Sequence, residues 1–426
     1  MDQQKMIRIL EQELVVALGC TEPVAIALAS ATAKKYIKKP VQEIIVQVSG
    51  NILKNAKAVG IPGMKSTGID FATAIGFVAG NPDKKLEVLE NLTAEDETEA
   101  LKLIQTGRIN VAIAESPKKL YIEITAKSDE EQVKVVIADN HSNITLIEVN
   151  GKAIYQGGCE NIGIVSDQDS LEEINIAEVF EFITKVDLGQ LDLVKKSIEL
   201  NKAIGLEGLE NPYGLSVGKT IRENVENGYL SDDLATRAMS LAAAGSDARM
   251  AGSTMPVMAN TGSGNQGIAV TLPVVAVAEK LNVDQDTMIR AVALSHLLTI
   301  HIKSKFGRLS ALCGVTAAGM GASGAIAFLL GGGLIEVEAA VQNTIGNITG
   351  MICDGAKAGC AMKVSTCSNV AVQSALLAMN QKKIQATDGF IHNNVEKSIE
   401  SFCKLGNQGT LQTDQLILEL MLETKE

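Results

Sequence analysis

The chain has 426 residues, 46% of them hydrophobic and 21% charged, with only 8 prolines, which suffices for folded cores and excludes a disordered or collagen-like polymer. Its formal net charge is −12, it has no Trp, and aromatic residues make up only 3%. Nucleic-acid binding needs a basic footprint or stacking aromatics, so that class is set aside; the length allows two or three domains and the acidity fits a small-molecule substrate.

Residues 1–19 carry charges throughout and no apolar h-region, which argues against a signal peptide and for a cytoplasmic protein. Residues 4–35 read as helical. Ile7, Leu10, Leu14, Val15 and Leu18 recur at spacings of three and four, and the pattern stops at Gly19. Thr21 can cap a second helix with Pro23 in its first turn, which leaves Cys20 in a tight break between helices. Exposed N–H groups at such a break favour a thiolate.

From Pro40 to about Gly158 the pattern changes. Residues 41–49, 120–128, 131–139 and 144–151 are β-branched and partly alternating, with a hairpin turn at Asp129-Glu130-Glu131. Helices interleave at 66–80 and 94–105. Beyond about Ser170 strands give way to helices broken by Gly-rich loops. The expected class is therefore α+β: a mostly helical catalytic domain with a smaller, mainly antiparallel sheet domain inserted. The expected boundaries are 1–38 for N-terminal helices packing on the catalytic domain, 39–165 for the insertion and 166–426 for the helical domain. The uncharged run at 309–335 is long enough to span a bilayer, but its many glycines favour a buried segment, so no membrane is expected.

Gly214-Leu-Ser-Val-Gly218-Lys219-Thr220 resembles a P-loop but has three residues between its glycines where four are required. His141, His296, His301 and His392 are too scattered for a histidine metal site and read as structural or solvent-facing. Residues 259–267, with Asn260, Thr261, Gly262, Ser263, Gly264 and Asn265, alternate glycine with small polar side chains ahead of an apolar helix. That pattern suits a carboxylate or phosphate. Seven cysteines, an odd number without a secretion signal, argue against a disulfide framework. Cys313, Cys353, Cys360 and Cys367 lack zinc-ribbon spacing, although thiolates far apart in sequence can converge on an iron–sulfur cluster.

LGCTEPVAIALA (18–29), the stretch from Ser49 to Asp70, the stretch from Ala243 to Ile268, RLSALCG through Gly332 and MICDGAKAGCAMK (351–363) together resemble the L-cysteine desulfidase family, over nearly the whole chain. That family is related to the α chain of iron–sulfur L-serine dehydratases, and the likeness to the latter lies mainly in the helical C-terminal half. The resemblance implies a [4Fe–4S] cluster on the helical domain, with three cysteine ligands and one open iron. Cys20, Cys313 and Cys353 match the ligand positions, and Cys360 can replace one of them. It implies elimination from a small amino-acid substrate, L-cysteine to pyruvate, ammonia and hydrogen sulfide, or L-serine dehydration by the same route. Gly63-Met64-Lys65-Ser66 stands where serine dehydratases carry a Ser- and His-containing loop, so Lys65 and Ser66 are the candidate catalytic residues. Lys65 would need burial, or the cluster's field, to act as a base. The competing readings are a pyridoxal-phosphate lyase with residues 261–267 as phosphate cup, and a non-catalytic cluster sensor. A homo-oligomer is compatible with the sequence.

Overall fold

The computed structural model describes residues 3–118, 120–157, 174–306 and 311–423. Cys159 and Arg308 therefore lie outside the described residues. The chain opens with α1 (Gln3–Glu13), β1 (Leu14–Leu18) and α2 (Thr21–Tyr36). The sheet region follows with β2 (Glu43–Val48), α3 (Gly50–Ala56), α4 (Gly68–Ala79), α5 (Ala94–Gln105), β3 (Ile109–Ile113), β4 (Tyr121–Lys127), β5 (Gln132–Ala138), β6 (Ile144–Val149) and β7 (Lys152–Gln156). The remainder comprises α6 (Ile176–Lys185), α7 (Asp192–Glu210), α8 (Val217–Glu226), α9 (Leu234–Met250), β8 (Pro256–Asn260), α10 (Gly264–Leu281) and α11 (Gln285–Ser304). It ends with α12 (Gly314–Leu329), α13 (Leu334–Ile348), α14 (Cys360–Met379), α15 (Val395–Lys404) and α16 (Leu411–Glu423). The class is α+β.

The six-stranded sheet has the order β3-β2-β4-β5-β6-β7 and is antiparallel except for the β2–β3 pair. Alternation explains its faces: Ile44, Val46 and Val48 of β2 are buried while their neighbours are partly exposed. The hairpin at Asp129–Glu131 joins β4 to β5. The Gly-rich run at 309–335 contributes α12, buried along almost all of its length among the other helices. Among the described residues no helix is long and apolar enough to cross a membrane.

Three expectations need correction. Residues 4–35 are not continuously helical: α1 ends at Glu13, and β1 pairs with β8 from Leu14↔Asn260 to Leu18↔Pro256. β-Branched Val15 and Val16 fit a strand, and their long-range partner overrides the helical spacing. Strand β8 likewise shows that strands do not end at Ser170. Finally, the N-terminal helices divide between two bodies. Helix α1 packs on the helical body through Met6, Ile9 and Leu10, whereas α2 packs on the sheet and α4. The whole stretch from Pro23 to Ala33 of α2 is buried, because it is apolar all round and lies between layers.

The two bodies meet backbone to backbone. Gly60 N–H donates to the Met250 carbonyl at 2.8 Å and Gly63 N–H to the Gly252 carbonyl at 3.0 Å. Gly252 has φ +89°, and a Cβ there would stand 2.5 Å from the Ile61 carbonyl oxygen. Gly252→Ala should therefore destabilise more than Gly107→Ala, whose φ is also positive (+67°) but which has no neighbour within 4 Å of a Cβ. The latter should cost about 1–2 kcal/mol for its left-handed backbone alone. Urea denaturation of the two variants measures the difference, and equal losses would contradict the close packing.

Candidate active site

Four cysteines flank the seam. Leu312 and Ile352 form an isolated antiparallel bridge. Cys313 N–H donates to the Met351 carbonyl at 2.8 Å and Cys353 N–H to the Ala311 carbonyl at 2.6 Å, so the two cysteines lie on facing backbones with their side chains hydrogen-bonded. The Cys313 thiol, the Gly355 N–H, Lys54 and Lys363 hold Cys353 toward thiolate, against the opposing effect of burial. Cys313, as the proton donor of the pair and buried, is held toward the thiol. Gly355 has φ +95°, and a Cβ there would overlap the Lys54 carbonyl, so the Cys353 turn rests directly on α3 of the sheet domain.

Cys20 and Cys360 occupy an adjoining apolar cluster with Val59, Met250 and Ala356. Burial pushes both thiols up; Glu22 adds to this at Cys20, and Arg249 opposes it there. Cys367 and Cys403 are pushed up to about 12 by burial. Their sulfurs face Met351 Sδ (3.8 Å) and the Ile302 carbonyl (3.6 Å), respectively.

The donors suit an iron–sulfur group in kind: soft sulfur ligands on short turns, with Arg249, Lys54 and Lys363 nearby to balance an anionic cluster. Cys313 and Cys353 are hydrogen-bonded to each other. Among the described residues no set of three His, Cys, Asp or Glu side chains stands close enough to hold one ion. Binding a cluster would therefore release protons from the raised thiols and draw Cys20 or Cys360 toward the pair.

The Gly-rich motif at 259–267 lies beside these thiols, though only part of it faces them. A Cβ on Gly314 would stand 3.0 Å from Gln266 Oε1, which puts the first turn of α10 against Cys313. Ser263 caps that helix by accepting the Gln266 N–H at 3.3 Å. Thr261 accepts from Gln266 Nε2, and Gly262 is exposed at the tip of the turn. Gly264 and Asn265 are buried. Asn260 is completely buried; its amide donates to His296 Nδ1 at 3.0 Å and its Oδ1 accepts from Gln266 at 3.0 Å. Asn260 therefore holds the loop through its own hydrogen bonds, while Gly264 and Asn265 form the first turn of α10. His296, expected to be structural, is the post beneath the loop: its Nε2 meets Ser197 Oγ at 2.9 Å, and burial pushes it down to about 3.

Lys65 is exposed, so the burial that its role as a base requires is missing in this structure. Ser66 Oγ donates to Glu97 at 2.8 Å, and both backbone N–H groups of the pair point at the same carboxylate. A residue read only as structural or solvent-facing comes closer. His141, on the turn between β5 and β6, places Nε2 3.4 Å from Thr21 Oγ1, next to Cys20. Burial pushes its imidazole down, opposed by Glu22. Glu22 accepts from Asn55 at 3.1 Å and from the Cys20 thiol at 3.4 Å. No motif marks His141, because 120 residues separate it from Thr21.

The P-loop-like stretch is not an anion site. Asp247 of α9 is fully buried and its Oδ2 accepts the Gly218 N–H at 3.0 Å, so a carboxylate already caps α8.

Fold and seam together define an α+β protein with cysteine side chains where its sheet and helical bodies meet. Residues 83–419 match the family described as "Serine dehydratase alpha chain", and the chain belongs to that family of lyase-related proteins. It is similar over nearly its full length to proteins described as "UPF0597 protein". The one from Oleidesulfovibrio alaskensis is 42% identical over 424 residues, covering 99% of this chain and 98% of that protein. Those from Chromobacterium violaceum (40% over 421 residues; 99% and 98%) and Aeromonas hydrophila (41% over 416 residues; 97% and 95%) are comparable.

Two outcomes are expected here. In metal-free protein near pH 7, iodoacetamide should label Cys353 before Cys360, and Cys313→Ser should slow that labelling; mass spectrometry reads the order, and Cys360 reacting first would contradict the hydrogen-bonded pair. Burial pushes Asp247 up to about 6 from an ordinary 3.8. The folded state then binds its proton more tightly, so this contribution to stability is complete below about pH 4 and lost as pH rises to about 6. Asp247→Asn should flatten that decline in urea titrations across this range, and an unchanged slope would contradict it.

Proposed function

We propose that the chain is an iron–sulfur-dependent lyase that removes the β-substituent of a small L-amino acid, with L-cysteine converted to pyruvate, ammonia and hydrogen sulfide. The observation that carries this reading is the meeting, in one seam, of the Cys313–Cys353 pair with the first turn of α10 and the Cys20–Cys360 cluster. Cys20, Cys313 and Cys353 would hold a [4Fe–4S] cluster, with Cys360 the alternative third ligand. When bound, the cluster supplies a Lewis-acid iron that eases departure of the thiolate or hydroxyl. L-Serine is the second reading, favoured by the name of the matched family.

The chain's own residues divide the rest of the work. The first turn of α10, with Gly264 and Asn265, receives the substrate carboxylate. His141 accepts the α-proton, because burial keeps its imidazole in the neutral form and Thr21 and Glu22 fix its position. With Thr21 donating to Glu22 and accepting Nε2–H, Nδ1 keeps the lone pair. Water then converts the released aminoacrylate, by way of its imine, to pyruvate and ammonia. The six described cysteines are all free thiols, in keeping with a protein of the reducing cytoplasm.

Protein reconstituted anaerobically with iron and sulfide should release sulfide and pyruvate from L-cysteine in equal amounts, and Cys313→Ser should abolish both while Cys403→Ser does not. Loaded protein that turns over neither L-cysteine nor L-serine would overturn the reading. Borohydride trapping of an aldimine would replace it with the pyridoxal one. His141→Gln should lower kcat about 100-fold or more, with KM little changed, while Lys65→Ala stays within a few-fold; the reverse order would return the base to Lys65.

A further inference from the structure

A buried cation in the seam makes no ion pair among the described residues. Arg249, in the last turn of α9, is only 8% exposed. Its Nη2 donates to the Gly19 carbonyl at 3.1 Å and its Nη1 to Asn265 Oδ1 at 3.4 Å. It also hydrogen-bonds the Cys20 sulfur. Nε has no partner among the described residues, and none of their ion pairs involves Arg249. A guanidinium is always charged, and a buried charge is costly unless it is paired.

Its position says what would pair with it. A Cβ on Gly264 would overlap Arg249 Nε, so the guanidinium lies against the first residue of α10. The positive end of the helix and a buried, partly unsatisfied guanidinium therefore converge beside Asn265, one residue before the Gln266 that adjoins Gly314. We propose that Arg249 is the anchor for the substrate's α-carboxylate. This rests on the amino-acid lyase reading and deepens it, because it selects free α-amino acids over their amides. It also sets direction: a carboxylate held between Arg249 and α10 leaves the α-carbon and β-substituent on the side of the thiols. The fork geometry suits a carboxylate, so Lys is not an equivalent replacement.

Thermal shift with L-alanine, which has no leaving group, and L-alaninamide tests this without turnover. L-Alanine should raise the melting temperature of the wild-type protein, and L-alaninamide should not. Arg249→Gln should lose the response, and Arg249→Lys, which keeps charge and length, should retain part of it. In loaded enzyme Arg249→Lys should raise KM for L-cysteine about tenfold to a hundredfold, the effect of weakening a charged hydrogen bond, with kcat within a few-fold and iron content unchanged. Equal responses to L-alanine in wild type and Arg249→Lys, or a wild-type response to L-alaninamide as large as to L-alanine, would overturn the anchor while the lyase reading stands. Loss of iron in both variants would assign Arg249 to the cluster instead. Absence of any response to L-alanine in wild type, together with no turnover of L-cysteine or L-serine, would remove the lyase reading and this inference with it.

Discussion

The close backbone contact between sheet domain and helical body is the constraint on which the rest depends. Gly60 against Met250, Gly63 against Gly252 and Gly355 against Lys54 bring main chains together where ordinary side chains would hold them apart. That approach sets Cys20, which enters from β1, beside Cys360 at the start of α14. It also carries α3 of the sheet domain up to the Cys353 turn, while the β5–β6 turn meets Thr21 at the start of α2. Neither body contains the site alone. The fold matters to function mainly through this seam, since the helical core and the sheet each have a self-contained apolar cluster.

Charge gives the seam its character. Three thiols there are held protonated by burial or by their neighbour, one is held toward thiolate, and a guanidinium lies buried without an ion pair among the described residues. In a finished core such groups would be penalised, because low-dielectric burial favours neutral, fully bonded partners. They make physical sense together if an anionic substrate pairs with the guanidinium and a metal centre takes the thiols as ligands. Cys367 and Cys403 are just as buried, and burial outweighs the neighbouring lysines at both, so they too are held as thiols.

Much of the fold was legible in the sequence because it rests on local pattern. β2, β4, β5 and β6 follow β-branched alternation, and the helices at 68–79 and 94–105 fall where periodicity places them. β1 and β8 escaped because each is five residues long and exists only through pairing across 238 to 246 positions. The site was legible by motif rather than by chemistry. The cysteine turns and the Gly-rich loop stand out as motifs, and the structure brings them to one seam, but the hydrogen bonding within the loop is invisible to spacing. Asn260 reads as a ligand group until His296 is seen beneath it. Lys65 stands in the right motif yet on the surface, while His141 and Arg249 reach the seam by routes that spacing cannot reveal.

The central claim is that these thiols hold a cluster at which the substrate binds. Mössbauer spectroscopy of protein reconstituted anaerobically with iron-57 tests it most directly. On addition of L-cysteine, one iron of the cluster should change its isomer shift while the others stay as they were. A chain that binds no iron after reconstitution, or a cluster whose spectrum L-cysteine and L-serine both leave unchanged, would contradict the account.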